Sequence, residues 1–213
     1  MTQATDFEPI FEHFIKQNSD HDLAHDLTHI KRVVNTAKVL AHQEQADLWI
    51  VIPAAYLHDC FSYPKDHPER HLSSLLAADK ALQFLLSIEY PAHTYQAIYH
   101  AIAAHSFTAN ITPTTTEAQI VQDADRLDSL GAIGIARCIQ VSCNLDSQLY
   151  SAHDPFAEER ELNDQHYAID HFFSKLFKLP ETMNTVSGRK EANKRVIFMR
   201  QYLNQLRQEI GGF

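Results

Sequence analysis

Val51-Ile52-Pro53-Ala54-Ala55-Tyr56-Leu57-His58-Asp59-Cys60 is apolar for seven residues and then sets an imidazole beside a carboxylate. Ala, Tyr and Leu ahead of the pair read as a buried helix, and residues 46–60 are predicted to form it, with His58-Asp59 at its C-terminal end. Burying an imidazole next to a carboxylate is costly unless both find partners. A bound cation is the simplest partner for the two together.

Outward from this stretch the chain reads as helix after helix. Ile30, Val33, Val34, Ala37, Leu40 and Ala41 recur at three and four, which predicts a helix over 26–43. Further helices are predicted at 7–17, 72–88, 92–105, 117–130, 164–177 and 187–210. The last carries Val196, Met199, Leu203, Leu206 and Ile210 along one face. Loops are expected at 61–70, with Pro64 and Pro68, and at 108–116, with Pro113. The small residues from Gly131 to Ala136 suit close helix packing, and the polar stretch 150–161 reads as a mobile loop bordering the site. No series of alternating strands is present. The expectation is an all-α fold, a compact multi-helix bundle of a single domain over residues 1–213.

Composition agrees with that reading. The chain of 213 residues is long enough to bury a real core, and only 5 Gly and 8 Pro leave little room for a turn-rich β fold. A net charge of −9 argues against a polymeric nucleic-acid partner, which needs a basic face. A small anionic substrate stays open, because a divalent cation with a few Lys or Arg reverses the local sign. Cys60, Cys138 and Cys143 follow no metal or redox spacing and read as reduced thiols of a cytoplasmic protein. The first fourteen residues are acidic and polar, unlike a signal peptide, and no apolar run approaches the ~18 residues of a membrane span.

The residues that would complete a metal site flank the pair. His29 lies upstream in His25-Asp26-Leu27-Thr28-His29, and Asp125 lies downstream in Asp123-Ala124-Asp125-Arg126-Leu127-Asp128. Neutral imidazoles with carboxylates suit Mn, Mg, Fe, Ni or Zn as the divalent ion. Two His and two Asp would leave the loaded site neutral overall. Such an ion lowers the pKa of its water and offsets charge on phosphoryl oxygens.

The order His, then His-Asp, then Asp resembles the HD-domain superfamily of metal-dependent phosphohydrolases. The resemblance runs from about His25 to Ala136 and is most similar to small bacterial stand-alone HD hydrolases, in which Asp-Ala-Asp-Arg-Leu-Asp precedes a Gly-Ala-Ile-Gly run. It implies His29, His58, Asp59 and Asp125 as metal ligands. Asp123 and Asp128 are then alternative ligands or groups that orient the ligands from behind, and His25 and Asp26 are candidates for orienting a ligand or capping the helix. Some relatives of that group cleave nucleoside triphosphates to monophosphate and pyrophosphate.

Phosphate and proton handling points to other residues. Arg32, three after His29, offers a planar fork for phosphate, and Lys65 sits in the proline-bearing loop. Arg126 follows Asp125 directly and is a third phosphate-binding candidate. His100 and His105 are five apart, roughly 500° around a helix, so they do not share a tight face. His105, before Ser106-Phe107, is the better catalytic candidate beside Asp59. No Gly-x-Ser-x-Gly, Walker or Rossmann motif supports a covalent nucleophile or a phosphate loop.

The expected function is hydrolysis of a nucleotide or related small phosphoester by a monomer or homodimer, through attack of metal-bound water. Two rivals stand beside it: a non-catalytic metal and nucleotide sensor, and a di-iron oxygenase that would draw extra ligands from His100 and His105.

Overall fold

Nine α-helices, and no strand, form among the residues that the computed structural model describes, 2–18, 27–64 and 67–211. Their contacts fall into two compact units, Met1–Asp125 and Arg126–Phe213. The first unit holds α1 (Glu8–Asn18), α2 (Leu27–Glu44), α3 (Leu48–Leu57), α4 (Ser73–Ser87), α5 (Tyr95–His105) and most of α6 (Thr116–Leu127).

In this unit α3 packs on α2 and α5, and α5 packs on α4. Ile30, Val33, Val34, Ala37, Leu40 and Ala41 are all buried, so the spacing read in the sequence is the core face of α2. α1 closes over α2 and α3 through an aromatic cluster and a polar tie. Phe11 meets Tyr56 of α3 at 5.6 Å, and just ahead of α1 Phe7 sets its edge against Tyr90, beyond α4 (Ser73–Ser87), at 4.9 Å. Glu8 accepts from Lys38 of α2 at 2.6 Å and from the Tyr56 hydroxyl of α3 at 2.9 Å. The half-buried carboxylate thus has partners from two helices, as a charge withdrawn from water requires.

α3 begins at a cap, where the Asp47 carboxylate accepts from the Trp49 N–H at 2.8 Å. Pro53 lies inside the helix and removes the N–H that would bond the Trp49 carbonyl. The Tyr90 hydroxyl supplies the missing donor at 2.9 Å.

The helix predicted over 46–60 ends sooner, at Leu57, so His58-Asp59 lies in the turn after it. The cause is a side chain. His58 Nδ1 donates to the Ala55 carbonyl at 2.9 Å, the acceptor that the Asp59 N–H would need for another helical bond. Cys60 N–H then closes a tighter turn on the Leu57 carbonyl at 3.1 Å.

The second unit contains α7 (Gly131–Asn144), α8 (Ala168–Ser174), a 3-10 helix (Leu176–Thr182) and α9 (Val186–Gly211). The helix expected over 164–177 is therefore split into a short α-helix and a 3-10 segment. Val196, Met199 and Leu203 form the buried face of α9. The glycines that open α7 serve the turn before it. Gly131 has φ +73, and a Cβ on Gly134 would stand 2.2 Å from the Ser129 carbonyl oxygen. The close approach expected of these small residues is thus the chain folding back on its own preceding turn.

The stretch 150–161, read as mobile, is tied down. Asp154 accepts backbone N–H bonds from Glu158, Glu159 and Arg160 at 3.0, 2.9 and 3.1 Å. Arg160 grips the buried Asp170 with two nitrogens at 2.6 and 2.7 Å and lies 4.5 Å over the Tyr167 ring. Arg207 covers Phe156 at 4.1 Å. Polarity in this segment reflects ion pairing within the unit.

Candidate metal centre

Two histidines end helices in the same way. His58 follows α3 and bonds the Ala55 carbonyl, while His105 closes α5 and bonds the Ile102 carbonyl through Nδ1 at 2.6 Å. A carbonyl only accepts, so Nδ1 carries a hydrogen in both rings. Each ring thereby presents Nε2 inward. His29 joins them from α2, with its ring centre 5.6 Å from that of His58, and the His105 ring centre lies 4.9 Å from that of His58.

The carboxylates fill the space between the rings. Asp59 Oδ2 lies 3.4 Å from His58 Nε2 and 3.9 Å from His29 Nε2, and its Oδ1 lies 3.4 Å from His105 Nε2. Asp125 of α6 brings Oδ1 to 3.5 Å from His29 Nε2 and 3.8 Å from His58 Nε2. Ligating atoms of His29, His58 and Asp125 fall within 4.8 Å of one another, and so do those of His58, Asp59 and His105. The imidazoles are buried, whereas the Asp125 side chain is 30% exposed.

The donor set fits a divalent cation. His58 is wholly buried, yet its Nε2 makes no hydrogen bond among the described residues. A buried nitrogen in that condition carries a desolvation cost that a cation would remove. The electrostatics agree. Burial opposes charge on His58, but Asp59 and then Asp125 outweigh it and push its pKa up to about 9. Burial likewise opposes charge on Asp59, and the neighbouring His58 and His105 hold it well below the usual carboxylate range. The pocket therefore favours added positive charge, as a metal site does.

Not every candidate joins this cluster. Arg32 is half-buried on α2, with Nη1 3.3 Å from Thr28 Oγ1. Asp123 is fully buried on α6, two residues before Asp125. Asp128 accepts from Arg137 at 2.5 Å, and Arg126 donates to the Thr182 carbonyl at 2.5 Å, both pairs lying within the second unit. His25, Asp26 and Lys65 lie outside the described residues. His100 Nε2 accepts the Thr114 N–H at 3.0 Å and so holds the 106–115 loop. Lys80, which belongs to no motif in the sequence, reaches the Cys60 carbonyl at 3.1 Å beside Asp59. A lysine on an ordinary helix carries no local signal of such a contact.

Residues 26–130, which span His29, His58, Asp59, His105 and Asp125, match the model of the HD domain family. The chain belongs to the HD-domain superfamily of metal-dependent phosphohydrolases. It is 33% identical over 198 residues to the uncharacterized protein YpgQ of Bacillus subtilis, covering 91% of this chain and 88% of that one. The crystal structure of an HD-superfamily hydrolase from Bacillus thuringiensis superposes with a TM-score of 0.77 at 29% identity, covering 99% of this chain and 100% of that one. The crystal structure of Bacillus subtilis YpgQ in complex with ADP gives 0.71 at 31% identity, covering 98% of this chain and 95% of that one. The five clustered side chains thus all lie within the matched residues.

Proposed function

We propose that this HD-domain protein hydrolyses a nucleotide, with cleavage of a nucleoside triphosphate to monophosphate and pyrophosphate as the leading reaction. The observation that carries the reading is the buried His58 Nε2, which faces two carboxylates and has no hydrogen-bond partner among the described residues. The ADP held by the similar YpgQ supports a nucleotide as the phosphorylated ligand.

In this reading His29, His58, Asp59 and Asp125 hold one divalent cation, manganese being the first to test. When bound, the cation supplies acidification of water and charge compensation for phosphoryl oxygens. The protein does the rest by placement. The Nδ1–H bonds of His58 and His105 to backbone carbonyls lock both rings in one orientation, so neither must reorganise as charge moves. Asp59, between His58 and His105, orients the attacking water. Arg32, one helical turn from His29, directs a planar cation toward phosphate. The phosphate end of the substrate approaches beside Asp125, the most exposed of the four ligands.

The three cysteines are free, which suits a reducing cytoplasm. Among the described residues no helix is long and apolar enough to cross a membrane.

The test is product analysis. Metal-stripped protein is reloaded with Mn²⁺, Mg²⁺, Ni²⁺ or Zn²⁺ and given nucleoside mono-, di- and triphosphates, with phosphate and pyrophosphate read separately. Metal-dependent pyrophosphate release from triphosphates is the expected outcome. Saturable nucleotide binding without any product would replace this reading with a sensor.

A further inference from the structure

Asp59 lies in a turn, outside the regular helix, so something other than helical bonding must fix its backbone. The next residue shows what does. The Cys60 carbonyl accepts from Lys80 Nζ at 3.1 Å, and the Cys60 thiol donates to the Ala77 carbonyl at 3.3 Å. Ala77 and Lys80 are three apart on α4 and therefore share a face. Farther along, the Tyr63 N–H donates to Ser73 Oγ at 3.1 Å and the Tyr63 carbonyl accepts from Arg70 Nη1 at 2.7 Å. The segment leaving the metal pair is thus splinted to α4 and to the turn before it.

Lys80 is the member of this splint nearest to Asp59 that brings a full charge. Carbonyls just past a helix C-terminus carry partial negative charge, and a cation there makes a stronger hydrogen bond than a neutral donor. Asp has a short side chain with two torsions, so its oxygens go where its backbone puts them. Those oxygens stand 3.4 Å from His58 Nε2 and 3.4 Å from His105 Nε2. Productive sites tolerate displacements of only about 0.5 Å.

We infer that Lys80 is a positioning residue for Asp59: by holding the Cys60 carbonyl it sets the backbone from which the Asp59 carboxylate meets the cation. This inference rests on the metal reading above. Lys80 acts through the turn and has no role of its own in touching substrate. The Phe14 ring, 5.9 Å from Lys80 Nζ, flanks the ammonium without supplying the hydrogen bond.

The experiment compares metal-stripped wild type, Lys80→Met, Lys80→Arg and Phe14→Leu. Folding is checked by circular dichroism, Mn²⁺ affinity by calorimetry and by electron paramagnetic resonance, and turnover by product release. Lys80→Met is expected to weaken Mn²⁺ binding by about 10- to 100-fold, the range seen when groups behind a metal ligand are removed. Its kcat should fall with KM unchanged. Lys80→Arg should recover most of both losses, and Phe14→Leu should bind Mn²⁺ like wild type. Wild-type affinity in Lys80→Met, or equal losses in Lys80→Met and Phe14→Leu, would overturn the inference while leaving the metal reading intact. Absence of Mn²⁺ binding by the wild type would overturn both. Should Lys80→Met not fold, Lys80→Leu removes the same hydrogen bond and gives the same comparison.

Discussion

The Tyr90 hydroxyl donates at 2.9 Å to the Trp49 carbonyl, the acceptor that Pro53 leaves without a helical donor. Tyr90 is 2% exposed, so water does not readily replace it. Tyr90→Phe keeps the ring and strands the carbonyl, which is expected to cost about 1–3 kcal/mol in urea denaturation. In a Pro53→Ala background the restored N–H reaches the same carbonyl, and the penalty for Tyr90→Phe should shrink. An equal penalty in both backgrounds would show that the hydroxyl has another task.

Gly134 is expected to resist substitution. A Cβ there would meet the Ser129 carbonyl oxygen at 2.2 Å, whereas one on Gly211 meets nothing within 4 Å. The clash is with backbone, which cannot swing aside as a flexible side chain can. Gly134→Ala should therefore destabilise by about 1–3 kcal/mol or more, as overpacking does, and Gly211→Ala should be nearly neutral. Paired thermal melts decide the point.

The cysteines should react in a fixed order. Burial pushes the Cys60 thiol up to about 12 against the opposing effect of Lys80, and burial pushes Cys138 up to about 11. Cys143 is exposed. A thiol reagent at pH 8 should modify Cys143 promptly and reach Cys60 and Cys138 only on unfolding, because the thiolate is the reactive form. Prompt modification of Cys60 in the folded protein would show that the turn after Asp59 opens readily.

Removing metal should make stability sensitive to alkaline pH. Burial opposes charge on His58, yet Asp59 and Asp125 push its folded pKa up to about 9 from the ordinary 6.5. A raised folded pKa means that protonation stabilises the fold fully below about pH 6.5, and that this contribution is lost as pH rises through about 9. Metal-free protein should accordingly lose Tm across that window. Mn²⁺-loaded protein should hold its Tm there, since the cation stands where the proton was. Parallel slopes with and without metal would contradict this account.

Much of this was legible along the chain, for identifiable reasons. α2 shows in the spacing of its apolar residues because one face of a helix is read by local order alone. The His58-Asp59 pair shows because charge at the end of an apolar run demands an explanation. The end of α3 was misplaced because His58 itself takes the Ala55 carbonyl, a side-chain bond that periodicity does not encode. Long-range partners were harder still. Lys80 reaching Cys60, and Arg160 clasping Asp170, depend on how distant segments meet, and neither lysine nor arginine announces its acceptor. The 150–161 stretch reads as mobile by composition partly for the same reason: Arg160 and Glu158 find their charged partners ten or more residues away, in Asp170 and Arg207.

In the proposed function, His29, His58, Asp59 and Asp125 together hold a divalent cation on which phosphate hydrolysis depends. The most direct test is product release from a nucleoside triphosphate as Mn²⁺ is titrated into metal-stripped wild type and Asp59→Ala, the two matched for helical circular dichroism. Saturable Mn²⁺-dependent pyrophosphate release is expected from the wild type, and none from Asp59→Ala at any metal concentration. Wild-type turnover in the folded Asp59→Ala variant, or turnover without added metal, would contradict this assignment.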